Sequence, residues 1–219
     1  MTTRLKPVTD RRTAPHQKRS QQTVDLILSA AAQLLEEVGF ERLSTNSICK
    51  RAGLTPPALY RYYPNKYAVL KDLGERLMHD QNALLEEQPW ITRDLERTRE
   101  SIRTLLIDTI KVTRATPAGI WIMRSLHATP ILTNVRLESH RVVARYLTDQ
   151  VIQLWPQIDQ ARAFHHMRLG VELGYATIEM VFDESELDER AIVETATNLL
   201  SRNLQDLIAQ SGFGMADDR

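Results

Sequence analysis

From Ser20 to about residue 210 the apolar residues of this chain recur at three- and four-residue steps, and no alternating run of strand type interrupts them. That period predicts helices throughout. The first clear stripe is Val24, Ile27, Leu28, Ala31, Leu34, Leu35 and Val38, one face of an amphipathic helix, with Gly39 as its stop. Two very short segments follow. Ser44 can cap a helix reaching about Ala52, and Gly53 ends it. Thr55 can cap another that opens with Pro56, because proline is tolerated in a first turn, and Pro64 closes it. Asn65 can then cap a long helix reaching about Glu87, with Pro89 beyond. Further helices are expected near 92–115, 117–128, 130–155, 158–183 and 188–210. The breaks between them fall at Thr116-Pro117, Thr129-Pro130, Trp155-Pro156 and the acidic stretch from Asp183 to Glu189. The expectation is an all-α protein of about nine helices, with an N-terminal three-helix helix-turn-helix domain and a C-terminal helical bundle domain.

Composition narrows the class. The 219 residues are 42% hydrophobic and 26% charged, as in an ordinary soluble globular protein. The first twenty residues are polar, and no apolar run approaches the roughly eighteen residues of a membrane span, so neither leader nor membrane is expected. One cysteine, Cys49, excludes an internal disulfide framework and a cysteine metal cage, and it suits a cytoplasmic location. The net charge of zero hides an asymmetry: residues 1–68 hold eleven Lys/Arg against five Asp/Glu, whereas residues 69–219 hold seventeen against twenty-three. A polyanionic partner for the N-terminal third would explain this, and so would chance variation of surface charge.

The segment Ser44–Leu70, STNSICKRAGLTPPALYRYYPNKYAVL, decides between them. Two short helices joined by the three-residue turn Gly53-Leu54-Thr55 form a helix-turn-helix, and glycine suits a turn that needs a positive φ. Ile48, Ala52, Leu54, Leu59 and Tyr63 can meet the stripe of the first helix to close a small core. Thr45, Ile48, Ala52, Gly53, Leu59, Tyr60, Tyr62, Tyr63, Lys66 and Leu70 stand in the register of the TetR family's DNA-binding signature, which this segment resembles over about fifty residues. Two positions depart from it: Pro57 replaces a small residue, usually glycine, and Cys49 replaces the usual alanine.

The resemblance implies a DNA reader, and the physics of groove recognition assigns the roles. A recognition helix enters the major groove with its first residues leading, so Thr55, Pro56, Pro57 and Ala58 would face base edges. Arg61 is the candidate for a bidentate guanine contact. Tyr60 and Tyr62 would reach phosphates, Lys66 would do so from a helix start, and Thr45 and Lys50 would contact the backbone from the second helix, with Arg51 adding charge there. Residues 1–17 read as a flexible basic arm, 18–64 as the DNA-binding domain, 65–211 as a ligand-binding and dimerisation domain, and 212–219 as a disordered tail.

For that larger domain the resemblance implies a homodimer whose last two long helices pair across a two-fold axis. Gly170, Gly174, Ile178 and Val181 on one helix, and Ile192, Ala196, Leu199, Leu200 and Leu207 on the next, could form the interface or could pack inside one subunit. Candidate residues for an effector pocket are Trp121, Met123, His127, Tyr146, His166, Glu172, Tyr175 and Glu179, of which Glu172, Tyr175 and Glu179 share a helix face. A solvated polar stripe is the competing reading. No histidine pair has the i, i+4 spacing of a helical metal site, and no nucleophile elbow or phosphate-binding glycine loop suggests an enzyme. The expected function is a repressor-type regulator that leaves a palindromic operator when a small-molecule effector binds; no cofactor is expected, and a helical interaction module that does not bind DNA is the rival.

Overall fold

Capping chemistry sets where the helices begin. In the computed structural model, which describes residues 9–12, 18–86 and 89–211, these are α1 (Lys18–Arg42), α2 (Thr45–Ala52), α3 (Pro56–Tyr60), α4 (Lys66–Ala83), α5 (Leu95–Ala115), α6 (Gly119–Ala128), α7 (Thr133–Leu154), α8 (Gln160–Asp183) and α9 (Glu189–Ala209). A single 3₁₀ turn, Leu84–Glu86, follows α4. Ser44 caps α2 by accepting from the Ser47 backbone N–H, and Ser47 returns the bond to the Ser44 backbone. Asn65 Oδ1 accepts from the Ala68 N–H at the start of α4, and Asp94, Asp159 and Asp188 do the same for α5, α8 and α9. Among the described residues there are nine α-helices and no strand, and no helix is long and apolar enough to cross a membrane. The expected tail at 212–219 and most of the expected arm lie outside the described residues.

The chain divides into two packed units. The first comprises residues 1–80 and 113–137, the second residues 81–112 and 138–219. The expected boundary at residue 64 falls inside the first of these units. Most of α4 belongs to the first unit, because Gly74 brings its backbone against Leu126 of α6: a Cβ there would stand 2.7 Å from Leu126 Cδ2. In that unit α1 packs on α2 and α6, and α2 packs on α3. Its core is Val24, Ile27, Ala31, Leu35, Ile48, Leu59 and Tyr63, each fully buried, whereas Val38 at the end of the stripe is exposed. Gly39 breaks α1 with φ 73°, as a left-handed stop should. The turn into α6 is tighter still: Ala118 sits at φ 58°, and a Cβ on Gly119 would fall 2.1 Å from the Thr113 carbonyl oxygen.

The second unit is built on the long α8–α9 pairing. Arg99 of α5 adds polar ties to α9, to Glu194 and to Asn198 Oδ1 at 3.1 Å. The inward side of α8 is Ala163, Met167, Val171, Gly174, Tyr175, Ile178 and Val181, all buried.

Candidate nucleic-acid interface and ligand cavity

The turn between α2 and α3 is a left-handed one. Gly53 has φ 66° and ψ 30°, and its N–H donates to the Cys49 carbonyl. Pro56 and Pro57 occupy the first turn of α3, where no backbone donor is missed. Thr55 stands at the cap position in extended backbone, yet its side chain makes no capping bond, so its hydroxyl is not spent on α3. Thr55, Pro56, Pro57 and Arg61 are exposed, as is Lys50, and Ala58 is half-buried. Thr45 Oγ1 and the Tyr60 hydroxyl share a hydrogen bond of 2.9 Å, which brings two of the expected phosphate contacts to one spot.

Three basic or phenolic groups are placed differently from expectation. Tyr62 is only 5% exposed, so most of its ring belongs to the core rather than to a surface reading phosphates. Lys66 donates from Nζ to the Phe40 carbonyl at 3.1 Å and lies 4.3 Å from the Phe40 ring centroid, tying α4 to the end of α1. Arg51 forms a two-pronged pair with Glu37, at 2.8 and 2.6 Å, instead of adding charge beside Lys50. The Arg51 hydrogen bonds hold the Glu37 carboxyl below its usual range. Buried Cys49 has its thiol pushed up by desolvation, the opposite of a reactive thiolate.

Sequence reasoning missed a polar node that docks the arm. Asp72 accepts from Arg11 at 2.9 Å, from the Tyr63 hydroxyl at 2.6 Å and from Arg76 Nε at 3.0 Å. Burial, then the neighbouring Asp72, raises the Tyr63 phenol well above its usual range, so that it serves only as a donor. Asp10 pairs with Lys71 at 2.5 Å, and the Arg12 backbone N–H donates to the Tyr62 carbonyl at 2.7 Å. Residues 9–12 thus run along the α3–α4 edge, with Arg12 NH1 3.3 Å from the Tyr60 carbonyl. Only the tyrosine and the acid one turn apart from an arginine (Asp72, Arg76) hinted at this in the sequence.

The second unit holds a partly open cavity of about 130 Å³ lined by α5, α7, α8, α9 and the end of α4. Of the eight sequence candidates for an effector pocket only Tyr175 lines it. Trp121, Met123 and His127 lie on α6 in the first unit, where Met123 is buried and Trp121 carries Arg124 at 4.8 Å from its ring centroid. The Tyr146 hydroxyl donates to the Leu85 carbonyl at 2.9 Å, and His166 Nδ1 lies 2.9 Å from Asn203 Oδ1. Glu172 pairs with Arg168 and with His140 Nδ1 at 3.1 Å. Burial alone would raise its carboxyl, but those two partners outweigh it and hold the group at about 2. Glu179 is half-buried and does not line the cavity. The residues that do line it, Gln81, Asn82, Trp90, Leu147 and Asn203 among them, look in sequence like ordinary core or helix-end residues.

The same cavity accounts for much of the expected dimer face. Gly170, Gly174, Ile178 and Leu200 line it, and Val181, Ala196 and Leu207 are buried within the unit. A Cβ on Gly174 would meet Leu106, and one on Gly170 would meet Leu200, both at 3.6 Å, so these glycines admit side chains of their own chain. Ile192 is half-buried. What α8 and α9 leave outward is Leu169, Leu173, Met180 and, of the expected set, Leu199, which is 62% exposed.

Comparison with known proteins places these features. The family described as "Bacterial regulatory proteins, tetR family" matches residues 27–73, from α1 into α4. The tetracycline repressor protein class C of Escherichia coli is 32% identical over 69 residues, covering 30% of this chain and 32% of that protein. The nucleoid occlusion factor SlmA of Vibrio campbellii is 30% identical over 134 residues, 61% of each. The chain therefore spans about a third of the tetracycline repressor and under two thirds of SlmA. Among solved structures, GusR of Salmonella enterica superposes with a TM-score of 0.63 at 20% identity, over 84% of this chain and 96% of that one. A TetR-family regulator structure from Syntrophomonas wolfei gives 0.65 at 13% identity, over 90% and 99%. At such identities the structural likeness is one of fold.

Proposed function

We infer that this chain is a member of the TetR family of regulatory proteins and a sequence-specific DNA-binding transcriptional regulator that works as a homodimer. It acts as a repressor, leaving a palindromic operator when a small molecule enters the cavity of the second unit. The observation that carries the DNA-reading half is the arrangement around α3: exposed Thr55, Pro56, Pro57 and Arg61, flanked by the bonded Thr45–Tyr60 hydroxyls. Proline rings offer base edges only apolar contact, so direct discrimination falls mainly on Arg61, whose fork matches guanine O6 and N7. Thr45 and Tyr60 bind the phosphates that set the register, and Lys50 adds charge.

The dimer reading rests on the outward stripe Leu169, Leu173 and Met180 of α8 with Leu199 of α9. Large apolar side chains left outward on two paired helices form a face suited to its own copy. For release, α4 is the coupling element: Lys66 opens it, and Gln81 and Asn82 in its last turn line the cavity. A ligand that prefers one position of that turn shifts the population of recognition-helix positions, and DNA must lower the ligand's affinity by the same factor.

The test is selection of bound duplexes from a random library, followed by titration at several salt concentrations. Wild-type protein should enrich a palindrome and lose affinity steeply with salt. Arg61→Ala should weaken binding by about 1–3 kcal/mol and relax preference at one position per half-site. Enrichment of no palindrome, or an Arg61→Ala protein that reads the same site equally well, refutes the assignment.

A further inference from the structure

The charge-free wall of the second unit's cavity bounds what it can hold. Among the described residues, no Asp, Glu, Lys, Arg or His lines it. Its walls are hydrocarbon, with Trp90, Leu105, Leu147 and Ile178 as the bulky members. Its polar groups are neutral, and their orientations are fixed by bonds within the unit. The Tyr175 hydroxyl donates to Gln81 Oε1 at 2.9 Å, while His140 stacks on the ring at 4.0 Å. Asn82 Nδ2 donates to Ser139 Oγ at 3.1 Å, and Asn203 Nδ2 to the His166 carbonyl at 3.1 Å.

Two features of this lining set the chemistry. Each of these amides uses one N–H and one lone pair of its oxygen within the unit, which leaves one donor and one acceptor site of each, all of them neutral. Burial also raises the Tyr175 phenol far above its usual range, so the wall stays neutral at any working pH. A carboxylate or ammonium entering here would shed its hydration without meeting an opposite charge, which is strongly unfavourable. Arg168 and Glu172, on the same helix as Tyr175, are paired with each other and are not among the lining residues. The volume, about 130 Å³, is comparable to cavities of about 150 Å³ that accommodate benzene.

We propose that the effector is an uncharged, largely hydrocarbon molecule about the bulk of one aromatic ring, carrying one neutral hydrogen-bonding group that Asn82 or Asn203 addresses. This rests on the reading of the cavity as the effector site. It predicts selectivity by charge rather than by shape, since the walls are largely apolar whereas none of the described wall residues can neutralise an ion.

Calorimetric titration of the full chain with three probes of one skeleton tests it: benzyl alcohol, benzoate and benzylammonium. Benzyl alcohol should bind with a Kd at least about tenfold below that of either ion. Gly174→Leu and the milder Val143→Leu, each checked for folding by circular dichroism, should weaken benzyl alcohol binding. Tighter binding of benzoate or benzylammonium overturns the ligand class. So does binding of none of the three, or benzyl alcohol binding unchanged in a folded variant. Benzoate binding that a cavity variant abolishes would sink the ligand class and leave the effector site standing. Loss of the DNA-reading assignment would instead appear in the Arg61→Ala titration, with probe binding untouched.

Discussion

At the scale of single residues, several side chains do work other than the one their type suggests. Lys66 stands where a phosphate contact is expected, yet its ammonium is engaged by the Phe40 carbonyl and ring. Lys66→Ala should therefore lower stability by about 1–2 kcal/mol in a thermal melt and leave the salt dependence of DNA binding unchanged. A salt slope reduced by about one would return Lys66 to the DNA contacts. Glu172 offers a pH test. Its folded-state value, about 2, lies below its ordinary 4.5, so its contribution is complete above 4.5 and disappears as the pH falls toward 2. Glu172→Gln should flatten the stability profile over that window. An acid limb identical to wild type would mean that the pairing with Arg168 and His140 carries no net stabilisation.

At the scale of elements, the helix starts were legible where caps and prolines act locally: Ser44 and Asn65 mark them in sequence and in structure alike. The Gly53 turn and the buried set Ile48, Leu59 and Tyr63 were legible for the same reason. Which side of a long helix faces inward was not. Helix α8 is apolar on two sides, with Val171, Tyr175 and Ile178 inside and Leu169, Leu173 and Met180 outside, so periodicity alone cannot tell a core face from a partner face. The cavity was hidden because aliphatic lining residues read as core, which drew attention to histidines and acids elsewhere. The α5–α6 turn was foreseen as a break at Thr116-Pro117, but its crowding was not. Gly119→Ala should force the turn apart at the Thr113 carbonyl and cost on the order of 1–3 kcal/mol, measurable by urea unfolding. A variant as stable as wild type would show that this turn yields freely.

At the scale of the whole molecule, the outward leucines of α8 and α9 are the feature on which assembly depends. Leu199→Asp places a charge on that face and should shift sedimentation toward the monomer, weakening operator binding in parallel. An unchanged sedimentation coefficient in the folded variant would move the interface elsewhere. Pairing through this stripe also has a consequence for dosage. If two copies must meet before either holds DNA firmly, operator occupancy at low abundance follows the square of the amount of chain, so halving the amount lowers occupancy about fourfold. The stripe would then set how abruptly the regulated output answers to gene copy number.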